Sequence, residues 1–119
     1  MGRIAVLWEQ WHYFNRRFFG GKLIPPKTIR LTSAQSYDGK IVYKGSANKT
    51  CFHLKDQVRL LFAARLDEWN LMGTLLHEMV HQYQLQVLEH EPDHDKIFNS
   101  YCRWIERQTG FPLRVSEKA

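Results

Sequence analysis

The sequence predicts an α+β domain with an N-terminal helix, a small antiparallel sheet of about three strands, an HExxH helix and a C-terminal helix. Three observations lead there. Apolar residues recur at helical spacing near both ends of the chain. Between Lys27 and Ala64 the period shortens to the alternation expected of strands. Glycine, proline and Asp-Gly signals fall where the period changes. With 119 residues, the chain reads as a single domain, 1–119, long enough for a modest core.

The first helix is predicted over residues 3–19. Ile4, Leu7, Trp8, Trp11, Phe14, Asn15 and Phe18 fall on one stripe, with Arg3, Glu9, Arg16 and Arg17 largely off it. Gly20-Gly21 ends it, because glycine accepts the left-handed conformation of a helix C-terminus. Leu23-Ile24-Pro25-Pro26 then leads out in extended form. Thr28-Ile29-Arg30-Leu31-Thr32 alternates and is the first strand, and Asp38-Gly39 marks a turn. Lys40-Ile41-Val42-Tyr43-Lys44 is the second strand, with Gly45 permitting a bulge. Gln57-Val58-Arg59-Leu60-Leu61-Phe62 is the third. Residues 46–56 read either as a loop or as further strand around Thr50 to Leu54.

The next helix is expected over residues 67–88, with Asp67 as its N-cap and Leu71, Met72, Leu75, Leu76, Met79, Val80, Tyr83, Val87 and Leu88 at helical spacing. Pro92 is expected to stop it and Asp93 to cap the last helix, about 94–108. Ile97, Phe98, Tyr101, Cys102 and Ile105 make the last helix's buried stripe, and Gly110 and Pro112 close it.

Composition narrows the classes. Apolar residues at 44% and aromatics at 13% argue for a packed core and against disorder. Cys51 and Cys102 are too few for a disulfide framework or a four-cysteine zinc ribbon, so reduced, buried cysteines in a cytoplasmic or nucleoid-associated protein are expected. No apolar run reaches the length of a membrane span, and the N-terminus lacks the apolar region of a signal peptide. No membrane partner is expected, and the chain reads as a monomer.

The chemistry concentrates in Leu75-Leu76-His77-Glu78-Met79-Val80-His81, which contains His-Glu-x-x-His. Histidines at i and i+4 lie one turn apart on the same helix face, so both imidazoles can reach one Zn²⁺. Glu78 sits beside that metal position rather than on it, where a general base must be to take a proton from water that zinc activates. The bland alternative is a core helix that happens to carry these residues. Two imidazoles and a carboxylate would be costly to bury there without partners. A catalytic zinc takes three protein ligands and leaves one position open. The third ligand must come from downstream, and His90 and His94 are the candidates. His94 is preferred, because a segment returning beyond Pro92 can complete the tetrahedron.

With these pieces placed, the chain resembles the SprT-like (Spartan-type) zinc metalloproteases. Phe14-Asn15-x-x-Phe18-Phe19-Gly20-Gly21-x-Leu23 is similar to that family's opening helix and glycine turn. Leu75 to His81 matches the metal-binding helix. His94-x-x-x-Phe98 matches the distal histidine, with Asp95 where the family usually has glycine. The resemblance covers about Trp11 to Phe98. It implies a metal site of His77, His81 and His94 for Zn²⁺, with Glu78 as catalytic base. It also implies hydrolysis of peptide bonds in protein substrates, often proteins associated with DNA. The C-terminal zinc ribbon or DNA-binding extension of larger members is absent from this sequence.

The net charge of +5 is unevenly spread. Residues 1–65 carry 12 Lys and Arg against 3 Asp and Glu, a balance of +9; residues 66–119 carry 5 against 9, a balance of −4. The basic half is expected either to hold DNA or to be an ordinary solvated surface, and salt-sensitive DNA binding would distinguish the two. Glu89, Glu91, Asp93 and Asp95 flank the third ligand and read as a solvated loop or as carboxylates orienting the histidines. Tyr37, Tyr43, Tyr83, Tyr101 and His53 are the candidates for stabilising an oxyanion. A non-catalytic nucleic-acid-binding module with structural zinc is the competing class, and it requires a closed coordination shell.

Overall fold

A computed structural model describes residues 2–43 and 56–114. The helix α1 spans Arg3–Phe18, β1 Thr28–Thr32, β2 Gly39–Val42, β3 Arg59–Ala63, α2 Glu68–Gln86 and α3 Lys96–Thr109. The expected element order and the α+β class hold. Lys44, Gly45, Cys51, His53 and the expected further strand around Thr50 to Leu54 lie outside the described residues.

The sheet differs from the expected antiparallel one. Its order is β1-β3-β2, with β1 parallel to β3 and β2 antiparallel to it. The sheet is therefore mixed. The strand with the most continuous burial, carrying Leu60, Phe62 and Ala63, takes the centre. Two strands flanking a third lie about 9.6 Å apart, which the short link from Thr32 to Gly39 spans easily. The turn signal at Asp38-Gly39 therefore starts an edge strand instead of closing a hairpin with β1.

Asn15 fastens the turn after α1. Its side chain accepts from Leu23 N (3.0 Å) and donates to Leu23 O (3.1 Å), while Gly20 and Gly21 take left-handed φ of 62° and 71°. The stripe on α1 buries Leu7, Trp11, Phe14 and Phe18, whereas Ile4 lies at its exposed margin.

Helix α2 is the centre of the fold. Asp67 caps it as expected, accepting from Asn70 N at 2.8 Å. It is buried around most of its circumference, packing on the sheet, α1 and α3. Two buried glutamines fasten it to the N-terminal region. Gln82 accepts from Trp11 Nε1 (3.0 Å) and donates to Ile24 O (2.7 Å), and Gln86 accepts from Ile24 N (2.9 Å).

Two expected boundaries move. Helix α2 stops at Gln86, well before Pro92, where Leu88 N and His90 N bond back to Tyr83 O and Gln84 O and Glu89 adopts φ 59°. Asp95, not Asp93, caps α3, accepting from Phe98 N at 2.8 Å. The Asp93 carboxylate accepts from the adjacent His94 N instead, and its backbone N–H and C=O are both bonded to the Gln84 side chain. His94 thus precedes α3 rather than sitting in its first turn. The buried stripe of α3 is Phe98, Cys102 and Ile105, with Tyr101 half-buried; Ile97, next to Phe98 around the helix, faces out at 59% exposure.

Beyond α3, Gly110 takes the left-handed conformation (φ 78°) and residues 111–114 cross back over α2. The crossing is close. A Cβ at Gly73 would lie 2.0 Å from Pro112 O.

Candidate metal centre

His77 and His81 project from successive turns of α2, with ring centroids 5.0 Å apart. His94 arrives from the return segment, its ring 5.2 Å from His77 and 4.9 Å from His81. One nitrogen from each of the three lies within 4.8 Å of the others. His81 Nε2 and His94 Nε2 face each other at 3.0 Å. Two imidazole nitrogens on one tetrahedral zinc stand about 3.3 Å apart, given bonds of about 2.0–2.1 Å. His90 lies outside this cluster, with Nδ1 2.9 Å from Glu91 O. The structure brings together His94 and not His90.

The hydrogen bonds on the far side of two rings fix which nitrogen is free. His77 Nδ1 lies 2.6 Å from Leu113 O, a carbonyl that can only accept, so Nδ1 carries the proton and Nε2 the lone pair. His81 Nδ1 lies 2.8 Å from Gln84 Oε1. That oxygen is identified by its neighbour: Asp93 N donates to it (3.1 Å) while Gln84 Nε2 donates to Asp93 O (2.8 Å). His81 Nδ1 is therefore also the protonated nitrogen. Burial lowers the pKa of both rings, that of His81 to about 4, so both are neutral at pH 7 as metal ligation requires. The donor set fits a divalent, nitrogen-preferring metal such as zinc.

Glu78 is buried beside this cluster, with Oε2 3.9 Å from His77 Nε2. Burial pushes its carboxyl up to about 8. Two clefts meet at His77, Glu78 and Gly39. The larger, about 400 Å³, opens over all three histidines between β2 (Gly39, Lys40, Ile41) and the Pro92 to His94 segment. The smaller, about 160 Å³, runs toward Asp38, Thr74, Leu113 and Arg114. Gly39 permits the close approach of β2, since a Cβ there would stand 2.5 Å from Thr74 Cγ2 and 3.2 Å from Glu78 Cγ.

Phe98 supports the cluster from α3, stacked on His81 (4.3 Å, 13°) and His94 (4.8 Å, 29°). Asp95 has an ordinary extended backbone (φ −79°), so the position following His94 does not need glycine here. Of the acidic group, Asp93 and Asp95 spend their carboxylates on the backbone N–H of His94 and Phe98. Tyr37, Tyr43, Tyr83 and Tyr101 line neither cleft. Tyr101 donates to Phe18 O and packs on Phe19 and Tyr83. Sequence reasoning missed Gln84 and the Leu113 carbonyl as the groups that orient the two helical histidines.

The class that fold and site define is an α+β domain whose central helix carries His-Glu-x-x-His and whose return segment adds a third imidazole, three histidines that could hold one metal ion. Within that class, the model of the SprT-like family matches residues 8–117, nearly the whole chain, and the chain belongs to that family. Comparisons with curated proteins and with solved structures find no match.

Proposed function

We propose that the chain is a zinc-dependent metallopeptidase that hydrolyses peptide bonds in protein substrates. The observation that carries this reading is the convergence of His77, His81 and His94 beside a buried glutamate in an open cleft. When bound, zinc polarises the scissile carbonyl, acidifies water and favours the ionised Glu78 carboxyl beside it. His77, His81 and His94 would hold the ion through imidazole nitrogens, and the open side of the cleft would admit the substrate. Glu78 takes a proton from the attacking water and returns it to the amide nitrogen as the C–N bond breaks. Strand β2 lines the larger cleft through Gly39, Lys40 and Ile41, and an extended substrate backbone would lie alongside it there.

Arg16, Arg17, Lys22, Lys27, Arg30 and Arg59 are exposed in the basic half and supply non-specific affinity for nucleic acid, which brings DNA-associated proteins within reach. The experiment compares wild type with Glu78→Gln on an unstructured protein substrate, with and without DNA and over a range of salt. The expected result is one zinc per chain in both proteins and cleavage by wild type alone. DNA is expected to speed cleavage at low salt only. Zinc retention with no cleavage by either protein under any condition would favour the non-catalytic binding module.

A further inference from the structure

The geometry points to Gln84 as a positioning residue that links two histidines of the proposed metal site, His81 on α2 and His94 on the return segment. The inference rests on the metal-site reading above and adds a residue to it. Gln84 lies one turn beyond His81 on α2 and is 1% exposed. Its amide makes three hydrogen bonds, and each has a consequence for a ligand.

Oε1 accepts from His81 Nδ1 (2.8 Å) and also from Asp93 N (3.1 Å), while Nε2 donates to Asp93 O (2.8 Å). The paired bonds to Asp93 resemble one rung of a β-ladder made by a side chain. They fix the orientation of the amide, because a backbone N–H can only donate and a carbonyl can only accept. Oxygen is thereby aimed at His81. That holds the His81 proton on Nδ1 and leaves Nε2 as the metal-facing lone pair. The same rung holds Asp93 against α2, and His94 is the next residue. Residues 91–95 form neither helix nor strand, so no regular backbone ladder positions His94. Gln84 supplies that anchor from within α2. One side chain thus sets the tautomer of one ligand and the placement of another, before any ion arrives.

Glutamine suits the position. Glutamate would keep an acceptor for His81, but its second carboxylate oxygen would face Asp93 O and repel it, pushing Asp93 off α2 and opening both bonds of the rung. Methionine would fill the volume and remove all three bonds. The neighbouring buried glutamine Gln82 is a built-in control, because its bonds go to Trp11 and Ile24 and touch no ligand.

The test measures zinc affinity by chelator competition, and in the metal-free protein the exchange of the Asp93 amide and the His81 tautomer by ¹⁵N NMR. In metal-free wild type, the Asp93 amide is expected to be protected and His81 to carry its proton on Nδ1. Gln84→Met is expected to weaken zinc binding roughly 10–100-fold, the range seen when a partner behind a metal ligand is lost. It should also unprotect Asp93. Gln84→Glu should keep the His81 tautomer yet lose the Asp93 protection, which separates the two roles. Gln82→Met should lower the melting temperature while leaving the zinc affinity of the folded protein unchanged. The inference is overturned if Gln84→Met binds zinc as wild type does, or if Gln82→Met weakens zinc equally. An unprotected Asp93 amide in metal-free wild type overturns it too, whether or not any variant folds. Failure of wild type to bind zinc while Asp93 stays protected would instead count against the metal-site reading itself.

Discussion

Burial sets the protonation of Glu78, and protonation ties its stability to its chemistry. In the metal-free fold its carboxyl is raised from 4.5 to about 8. The folded state then binds a proton that the unfolded chain has already lost. Its contribution to stability is full below about pH 4.5 and is lost as pH rises through about 8. His77 and His81 act in the opposite sense. Their lowered values make the unfolded chain the better proton binder, so stability falls as pH drops from 6.5 toward the His81 value of about 4. Replacing Glu78 by Gln removes only the alkaline loss. Metal-free Glu78→Gln should therefore gain on wild type between pH 5 and pH 9, at up to about 1.4 kcal/mol per pH unit across the titrating window. Urea unfolding in the presence of chelator measures the difference. An equal gap between the two proteins at both pH values would show that the Glu78 carboxyl is not held protonated by the fold.

Between elements, the close crossing of residues 111–114 over α2 carries functional weight. Leu113 is fully buried, its N–H donates to Glu106 Oε2 at 3.1 Å, and its carbonyl receives the His77 Nδ1 proton. Gly73 makes room for the crossing at the expense of helix propensity, about 1 kcal/mol relative to alanine. Propensity alone says that Gly73→Ala stabilises the protein. The 2.0 Å approach of a Cβ to Pro112 O says that the segment must lift off. We expect a net loss of about 1–3 kcal/mol, as in overpacked cores, together with weaker zinc binding as His77 loses its acceptor. Equilibrium unfolding and chelator competition check both, and a stabilised variant with unchanged zinc affinity would refute the crossing. This interaction also marks the limit of what the sequence could say. Element types were legible from their periods, and His77, Glu78 and His81 from local spacing. The His94 assignment drew on the need for a returning ligand and on its place ahead of Phe98. Strand pairing was hidden because register between partners such as Val42 and Arg59, or Thr28 and Arg59, leaves no local trace. Leu113 acts through its backbone carbonyl, which no residue type reveals. Asp93 and Asp95 offer the same cap chemistry, and the bonds that tie the Asp93 backbone to Gln84 leave no local pattern that would choose between them.

For the molecule as a whole, the two competing classes differ in what the metal does for folding. A structural zinc site contributes the folding energy itself, and such domains unfold without metal. Here the core is contiguous and apolar, running from Leu7 and Trp11 through Leu60 and Phe62 to Leu71, Leu75, Phe98 and Leu113. The histidines sit at its margin, with His94 exposed. Hydrogen bonds from His77 to Leu113 O, from Gln84 to Asp93 O and from Phe98 N to the Asp95 cap hold the site's surroundings in place without an ion. Removing zinc should therefore leave a folded protein that melts cooperatively at a lower temperature. The loss should follow simple linkage, about 2.7 kcal/mol when free zinc stands at 100 times its Kd. Calorimetry of the chelated and zinc-loaded protein, with near-ultraviolet circular dichroism of the aromatic core, measures this directly. A chelated chain without a cooperative transition or tertiary signal would mean that zinc builds the fold, and the three histidines would then belong to a structural site rather than a catalytic one.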